Sequence, residues 1–164
     1  MAQLLDVPGI QGESTHPTNP NWNKKIQLNS FNYDVSQKAS IQTGTGLVAG
    51  GASMSHITIT KPMDISTPYW FYYLCLGQPI DTVTFRLTRA GGSEGVYEYM
   101  TIVCTDVLVS SYFTSGTRGD GNIPMETISL SVGSVKETYD DRNERGQKIQ
   151  NVTHGFDFMK NTAL

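Results

Sequence analysis

Long apolar runs, clustered charge and paired cysteines are all scarce in this chain, and each shortage removes a class of protein. The longest apolar stretch runs from Tyr69 to Leu76. A helix rises 1.5 Å per residue and must cover ~30 Å to cross a bilayer, so this stretch is too short, and membrane insertion is not expected. Only 16% of the 164 residues are charged, 12 basic against 15 acidic, for a formal charge of −3. The basic residues form no patch, which argues against nucleic acid as a main partner. Cys75 and Cys104 stand without a Cys-x-x-Cys motif or a His/Cys metal spacing and read as two buried small apolar residues. The histidines, His16, His56 and His154, fall in a loop and two predicted strands with no HxH or HExxH spacing. No catalytic, cofactor-binding or metal-binding residue is therefore assigned, and no cofactor is expected. The N-terminus, MAQLLDVPGIQGE, lacks the basic start and apolar core of a signal peptide, so synthesis in the cytoplasm is the default expectation.

Glycine, serine and threonine fill the places that charge leaves, which suits a mainly β chain with many turns. Residues 3–7 read as a first strand closed by Pro8-Gly9, and 11–23 as an ordered loop. In 25–37, Ile26 and Leu28 share one face, while Phe31, Tyr33 and Val35 fall on the other parity. A slip of that kind near Asn29-Ser30 predicts a bulge or a barrel corner. Residues 43–53, TGTGLVAGGAS, are small and glycine-rich and read as a long flexible loop. HITIT (56–60) alternates. DTVTFRLTR (81–89) is the cleanest strand, with Val83, Phe85 and Leu87 on one face and Thr84, Arg86 and Thr88 on the other.

Ala90-Gly91-Gly92-Ser93 marks a hairpin turn. Residues 96–113 form one long bent strand, or two joined near Thr105-Asp106. Residues 115–122 form a turn. The alternation of Ile128, Leu130 and Val132 shifts phase after Gly133, and 140–146 reads as a charged exposed hairpin loop. A last strand, 148–159, places Val152, His154, Phe156 and Phe158 on one parity. The tally is about eight strands and one helix in a single domain over residues 1–164, a sandwich or barrel.

The helix is the segment 68–76. Ser66 or Thr67 can cap it through a side-chain oxygen, Pro68 fits its first turn, Gly77 suits the left-handed position past its end, and Pro79 stops it. It has no polar stripe beyond tyrosine hydroxyls, so it should be buried on every side. One barrel can cover one side; a loop or a neighbouring subunit must cover the other. Tyr69, Trp70, Tyr73 and Leu74 are its expected core or interface residues.

Several short motifs carry little weight. GTGLVA (44–49) has the spacing of a dinucleotide fingerprint, but β-branched HITIT follows where a helix is required. Arg118-Gly119-Asp120 sits in a glycine-rich turn, where such residues serve the backbone. Asn151-Val152-Thr153 is a formal glycosylation acceptor without a secretory signal before it. No GxSxG occurs, and nothing selects a pair such as Cys104 with His154 as a nucleophile and base. An enzyme is not expected. A competing reading is a secreted monomeric β-sandwich that binds carbohydrate or protein ligands, with exposed aromatics, Trp22 and Tyr112 among them, for stacking.

Taken in order, several pieces resemble one family. They are Gln11-Gly12-Glu13-Ser14, then Ile57-Thr58-Ile59-Thr60-Lys61 leading into Asp64 and Ser66-Thr67-Pro68. Val107-Leu108-Val109-Ser110-Ser111-Tyr112, Glu126-Thr127-Ile128-Ser129-Leu130, Tyr139 and Gly155-Phe156 follow. Over nearly its whole length the chain looks like the Hcp family, the hemolysin-coregulated tube proteins of bacterial type VI secretion. That resemblance implies a β-barrel of two sheets with one flanking helix, similar to phage tail-tube proteins. It implies hexameric rings that stack into a hollow tube, driven out by a contractile sheath behind a spike protein, with small effectors carried in the lumen. It also implies export from the cytoplasm without a cleaved signal peptide. The family's extended loop, which packs across subunits, maps onto residues 38–53, so Gly44, Gly46, Leu47, Val48, Ala49, Gly50 and Ser53 become expected interface positions. No toxin domain is expected after the barrel. The helix YWFYYLCL departs from relatives that place small or polar residues there, and THPTNPNWN from relatives charged after Gly-Glu-Ser.

Overall fold

One bent strand organises the molecule. In the computed structural model β8 runs from Gly95 to Ser115, and Asp106 at its middle adopts a left-handed φ of 54°. Up to Val107 β8 pairs with β7 (Ile80–Gly91) and, as far as Thr105, with β10 (Ser134–Arg142); from Leu108 on it pairs with β9 (Met125–Ser131). The bend lies where the sequence offered either one strand or two. The structure describes residues 1–17, 19–42, 46–91, 95–116, 121–143 and 146–164, with the backbone alone at 40–42 and 46–49.

Around β8 two sheets face each other. The first has the order β12-β11-β10-β8-β7-β1-β2, and its outer members are β1 (Ala2–Asp6), β2 (Ile26–Gln27), β11 (Lys148–Asp157) and β12 (Thr162–Ala163). The second runs from β8 through β9 and β6 (Ile57–Pro62) to β3 (Ser30–Asn32). Inward positions carry the period-2 apolar residues: Leu5, Ile26, Ile57, Ile59, Val83, Phe85, Ile102, Ile128 and Leu130 are fully or almost fully buried. The result is the expected β-barrel of two sheets, with α1 (Thr67–Leu76) on its flank.

Both predicted phase slips are barrel corners. At the first, the Leu28 amide donates to Gln3 of one sheet while the Asn29 amide donates to Thr60 of the other, so consecutive residues serve different sheets. At the second, Gly133 separates β9 from β10, and its amide reaches the Thr105 and Asp106 carbonyls at 3.0 and 3.2 Å. A Cβ there would lie 2.8 Å from the Asp106 Cβ, so only glycine lets the chain cross beside the bend in β8. These breaks, with β12 and the hairpin described next, raise the count to twelve strands among the described residues.

Two local expectations are corrected. Within the expected loop 43–53, residues 46–53 are strand and 43–45 lie outside the described residues: β4 (Val35–Gln42) and β5 (Gly46–Met54) pair from Val35↔Met54 to Gln42↔Gly46. Backbone hydrogen bonding needs no side-chain pattern, so a glycine- and alanine-rich strand carries no period-2 signal. Asp140 to Arg142 likewise continue β10 rather than opening a loop, paired with β11 through a register shift between Asp141 and Arg142. The expected turn at Gly92-Ser93 lies outside the described residues.

Candidate interaction surface

The β4–β5 hairpin forms a sheet of its own. At its base the Ser55 amide donates to the Asp34 carbonyl at 2.9 Å and the Asp34 amide to Ser55 Oγ at 3.0 Å. One further hydrogen bond, from the Ala52 amide to Asn161 Oδ1 at 3.3 Å, ties its side to the end of the chain. Val35, Ser36, Gln37, Lys38, Ala39, Gly50 and Ser53 are exposed. Of the expected interface positions, Gly46, Leu47, Val48, Ala49, Gly50 and Ser53 all lie on β5, while Gly44 falls outside the described residues. Arg118-Gly119-Asp120 also falls outside them.

The second feature is α1. Its C-terminus follows the sequence: Gly77 is left-handed (φ 61°), its amide bonds to Leu74 and the Gln78 amide bonds to Tyr73. At its N-terminus Ser66 and Pro68 take the expected cap and first-turn positions, but the capping bond is missing. Ser66 makes no side-chain cap, because its hydroxyl is spent elsewhere. Trp70 is completely buried, and Tyr73 and Leu74 pack against the core. Tyr69, expected with them as a core or interface residue, lies on the exposed side. With it stand Phe71, Tyr72 and Leu76, each more than half exposed, and Cys75. Cys75 is thus not a buried residue; Cys104 is, at 0% exposure. Both thiols are free.

Beneath the helix lies a polar chain that the sequence reading missed. Lys61 and Glu126 are fully buried, and Lys61 Nζ sits 2.7 Å from Glu126 Oε2 and 2.9 Å from Asp64 Oδ1. The Tyr112 hydroxyl donates to Glu126 Oε1 at 2.7 Å. Asp64 Oδ1 accepts from the Ser66 amide at 2.8 Å and the Ser66 hydroxyl at 2.5 Å, and Ser66 Oγ accepts from Trp70 Nε1 at 3.1 Å. The signal was present. Lys61 continues the inward parity of Ile57 and Ile59, Glu126 that of Ile128 and Leu130, and the two are cross-strand partners. Opposite charges at facing inward positions denote a buried pair.

The Gly12-Glu13-Ser14 segment is built just as tightly. A Cβ on Gly12 would lie 2.4 Å from the Lys25 carbonyl oxygen, Ser14 Oγ donates to the Trp22 carbonyl at 2.6 Å, and Glu13 Oε1 accepts from the Ile65 amide at 3.1 Å. Trp22 is buried with its indole N–H on Glu98, and Tyr112 is only partly exposed with its hydroxyl on Glu126. Neither offers a free ring for stacking on sugar. Burial and then the hydrogen bond to Glu126 push the Tyr112 hydroxyl up to about 12. Burial, with Glu137 close by, pushes the Cys104 thiol up to about 12, so it stays protonated and unreactive near neutrality. Among the described residues no group of three His, Cys, Asp or Glu is placed to hold a metal ion, and no helix is long and apolar enough to cross a membrane.

The comparisons with known proteins agree with one another. Residues 4–139 match the family model described as type VI secretion system effector, Hcp. Protein hcp1 of Pseudomonas aeruginosa is 28% identical over 110 residues, covering 66% of this chain and 67% of its own. A solved structure of a type six secretion system protein superposes with a TM-score of 0.89 at 25% identity, over 99% of both chains. Hcp1 from Salmonella typhimurium superposes with a TM-score of 0.78 at 23% identity, over 99% of this chain and 98% of its own.

Proposed function

Because the chain belongs to the Hcp family of type VI secretion proteins, we propose that it is a structural subunit of the secretion tube, assembling as hexameric rings that stack into a hollow tube. The family is one of structural secretion proteins rather than enzymes. The observation that supports the tube reading best is the β4–β5 hairpin. It leaves the barrel as a separate two-stranded sheet, and β4 and β5 pair only with each other among the described residues. Two strands alone are marginal in water and gain stability when another surface covers them. Their unpaired backbone edges are templates for a neighbour, and small side chains permit close approach. The exposed aromatic face of α1 is a second apolar surface available for contact.

In this reading the hairpin, including Gly46, Leu47, Val48, Ala49, Gly50 and Ser53, packs across the subunit boundary. The sheath and spike of the secretion machine are the tube's outer partners, small effectors occupy its lumen, and the protein leaves the cell with the tube. Native mass spectrometry and negative-stain electron microscopy of the purified protein test the first step. Discrete six-subunit rings are expected, and a monomer at every concentration from nanomolar to hundreds of micromolar would refute ring assembly.

A further inference from the structure

We propose that the buried chain Tyr112–Glu126–Lys61–Asp64–Ser66–Trp70 sets the rotation of α1 about its own axis, and so decides which aromatic side chains the protein presents. Hydrophobic burial is non-directional. Every residue from Tyr69 to Leu76 is aromatic, leucine or cysteine, so any face of this helix could lie on the barrel with a comparable gain. An amphipathic helix is oriented by its polar stripe. This one has none, and something else must choose.

Directional bonds make the choice. Lys61 on β6 and Glu126 on β9 are fixed by their strand register, and Lys61 Nζ anchors Asp64 at 2.9 Å. Asp64 holds both the amide and the hydroxyl of Ser66, the residue preceding the helix. Ser66 Oγ, its proton given to Asp64, is left as an acceptor facing the indole N–H of Trp70 one turn on, at 3.1 Å. Turning the helix by one residue, about 100°, would put Tyr69 or Phe71 where Trp70 stands. Phe71 carries no donor, and the Tyr69 hydroxyl sits at the tip of its ring, beyond the place of the indole N–H, so the buried Ser66 oxygen would lose its donor. The observed rotation therefore sends Trp70, Tyr73 and Leu74 inward and leaves Tyr69, Tyr72 and Leu76 outside.

Stability alone gives a poor reason for the arrangement. Taking Lys61 and Glu126 out of water is costly, and well-packed apolar residues in place of a buried ion pair are often neutral or stabilising. A single polar group that fixes register at some expense in stability has a parallel in the buried asparagine of coiled coils. The orientation of α1 stands on this geometry alone; its consequence for ring contacts rests on the tube-subunit reading.

Two variants test it. Lys61→Met with Glu126→Leu removes the anchor but leaves the Asp64 carboxylate without its cation, so Ser66→Ala, which cuts the chain at a neutral hydroxyl, is the deciding variant. The readouts are the near-ultraviolet circular dichroism of the tryptophans and the rate at which dithionitrobenzoate labels Cys75, since Cys104 is buried and silent while the protein is folded. With far-ultraviolet dichroism unchanged, Cys75 labelling should slow by about twofold or more, the factor for an even mixture of two rotations, and the tryptophan signal should weaken. Wild-type labelling and an unchanged tryptophan spectrum in folded Ser66→Ala overturn the proposal, whether or not the double variant folds. Ring content is measured in parallel. Wild-type protein that forms no rings refutes the tube reading while the labelling result still decides the orientation of α1.

Discussion

Trp70 and Cys104 show how single residues in this protein are held by what surrounds them. Trp70 is completely buried and bonded through its indole N–H, so Trp70→Ala removes a large apolar volume and strands the Ser66 oxygen. The expected cost is about 3–5 kcal/mol, read from urea or thermal unfolding; melts within error of wild type would show that α1 is not docked as described. Cys104 gives a pH signature. Its thiol titrates near 9.0 when exposed and at about 12 in the fold, chiefly because burial disfavours the thiolate. Between those values the unfolded chain has released a proton that the folded chain keeps, so stability falls as pH rises. The slope approaches about 1.4 kcal/mol per pH unit for this one group, and the contribution is fully present below pH 9. Tyr112, raised from 10.0 to about 12, adds a loss in the same direction that begins one unit later. Urea titrations should therefore show a decline from pH 9 upward. Cys104→Ala should flatten the first unit of that decline, before tyrosine titration sets in.

At the scale of elements, the hairpin and the helix were legible to different degrees. The helix ends were readable because capping is local: Pro68, Gly77 and Pro79 act within a few residues of themselves. Its inward face was not, because an all-apolar segment contains no contrast to read. The hairpin was mistaken for a loop because β4 and β5 are held by backbone pairing and small residues, which leave no alternating pattern. If it carries the subunit contact, Gly46→Pro and Val48→Asp should lower ring content in native mass spectrometry while leaving the unfolding midpoint close to wild type. The first removes a backbone donor from an edge and the second adds a charge to it. Unchanged rings in both variants would remove the hairpin from the interface.

Over the whole molecule, the two sheets meet at corners that the sequence marked by slips of phase. The Asn29-Ser30 slip and the Gly133 shift were each visible as an apolar residue arriving one position early or late, since a strand entering another sheet must turn its other parity inward. The bend near Asp106 and the family resemblance followed from the same local patterns. The sequence by itself thus determined the β class, the corners, the helix and its ends, because turns, caps and period-2 burial are properties of neighbouring residues. Tertiary structure alone decided which aromatics of α1 face water, that Lys61 and Glu126 meet beneath it, and that the glycine-rich segment stands off the barrel as a paired hairpin. Those outcomes depend on residues distant in the chain, through strand register and through hydrogen bonds whose direction hydrophobicity does not encode.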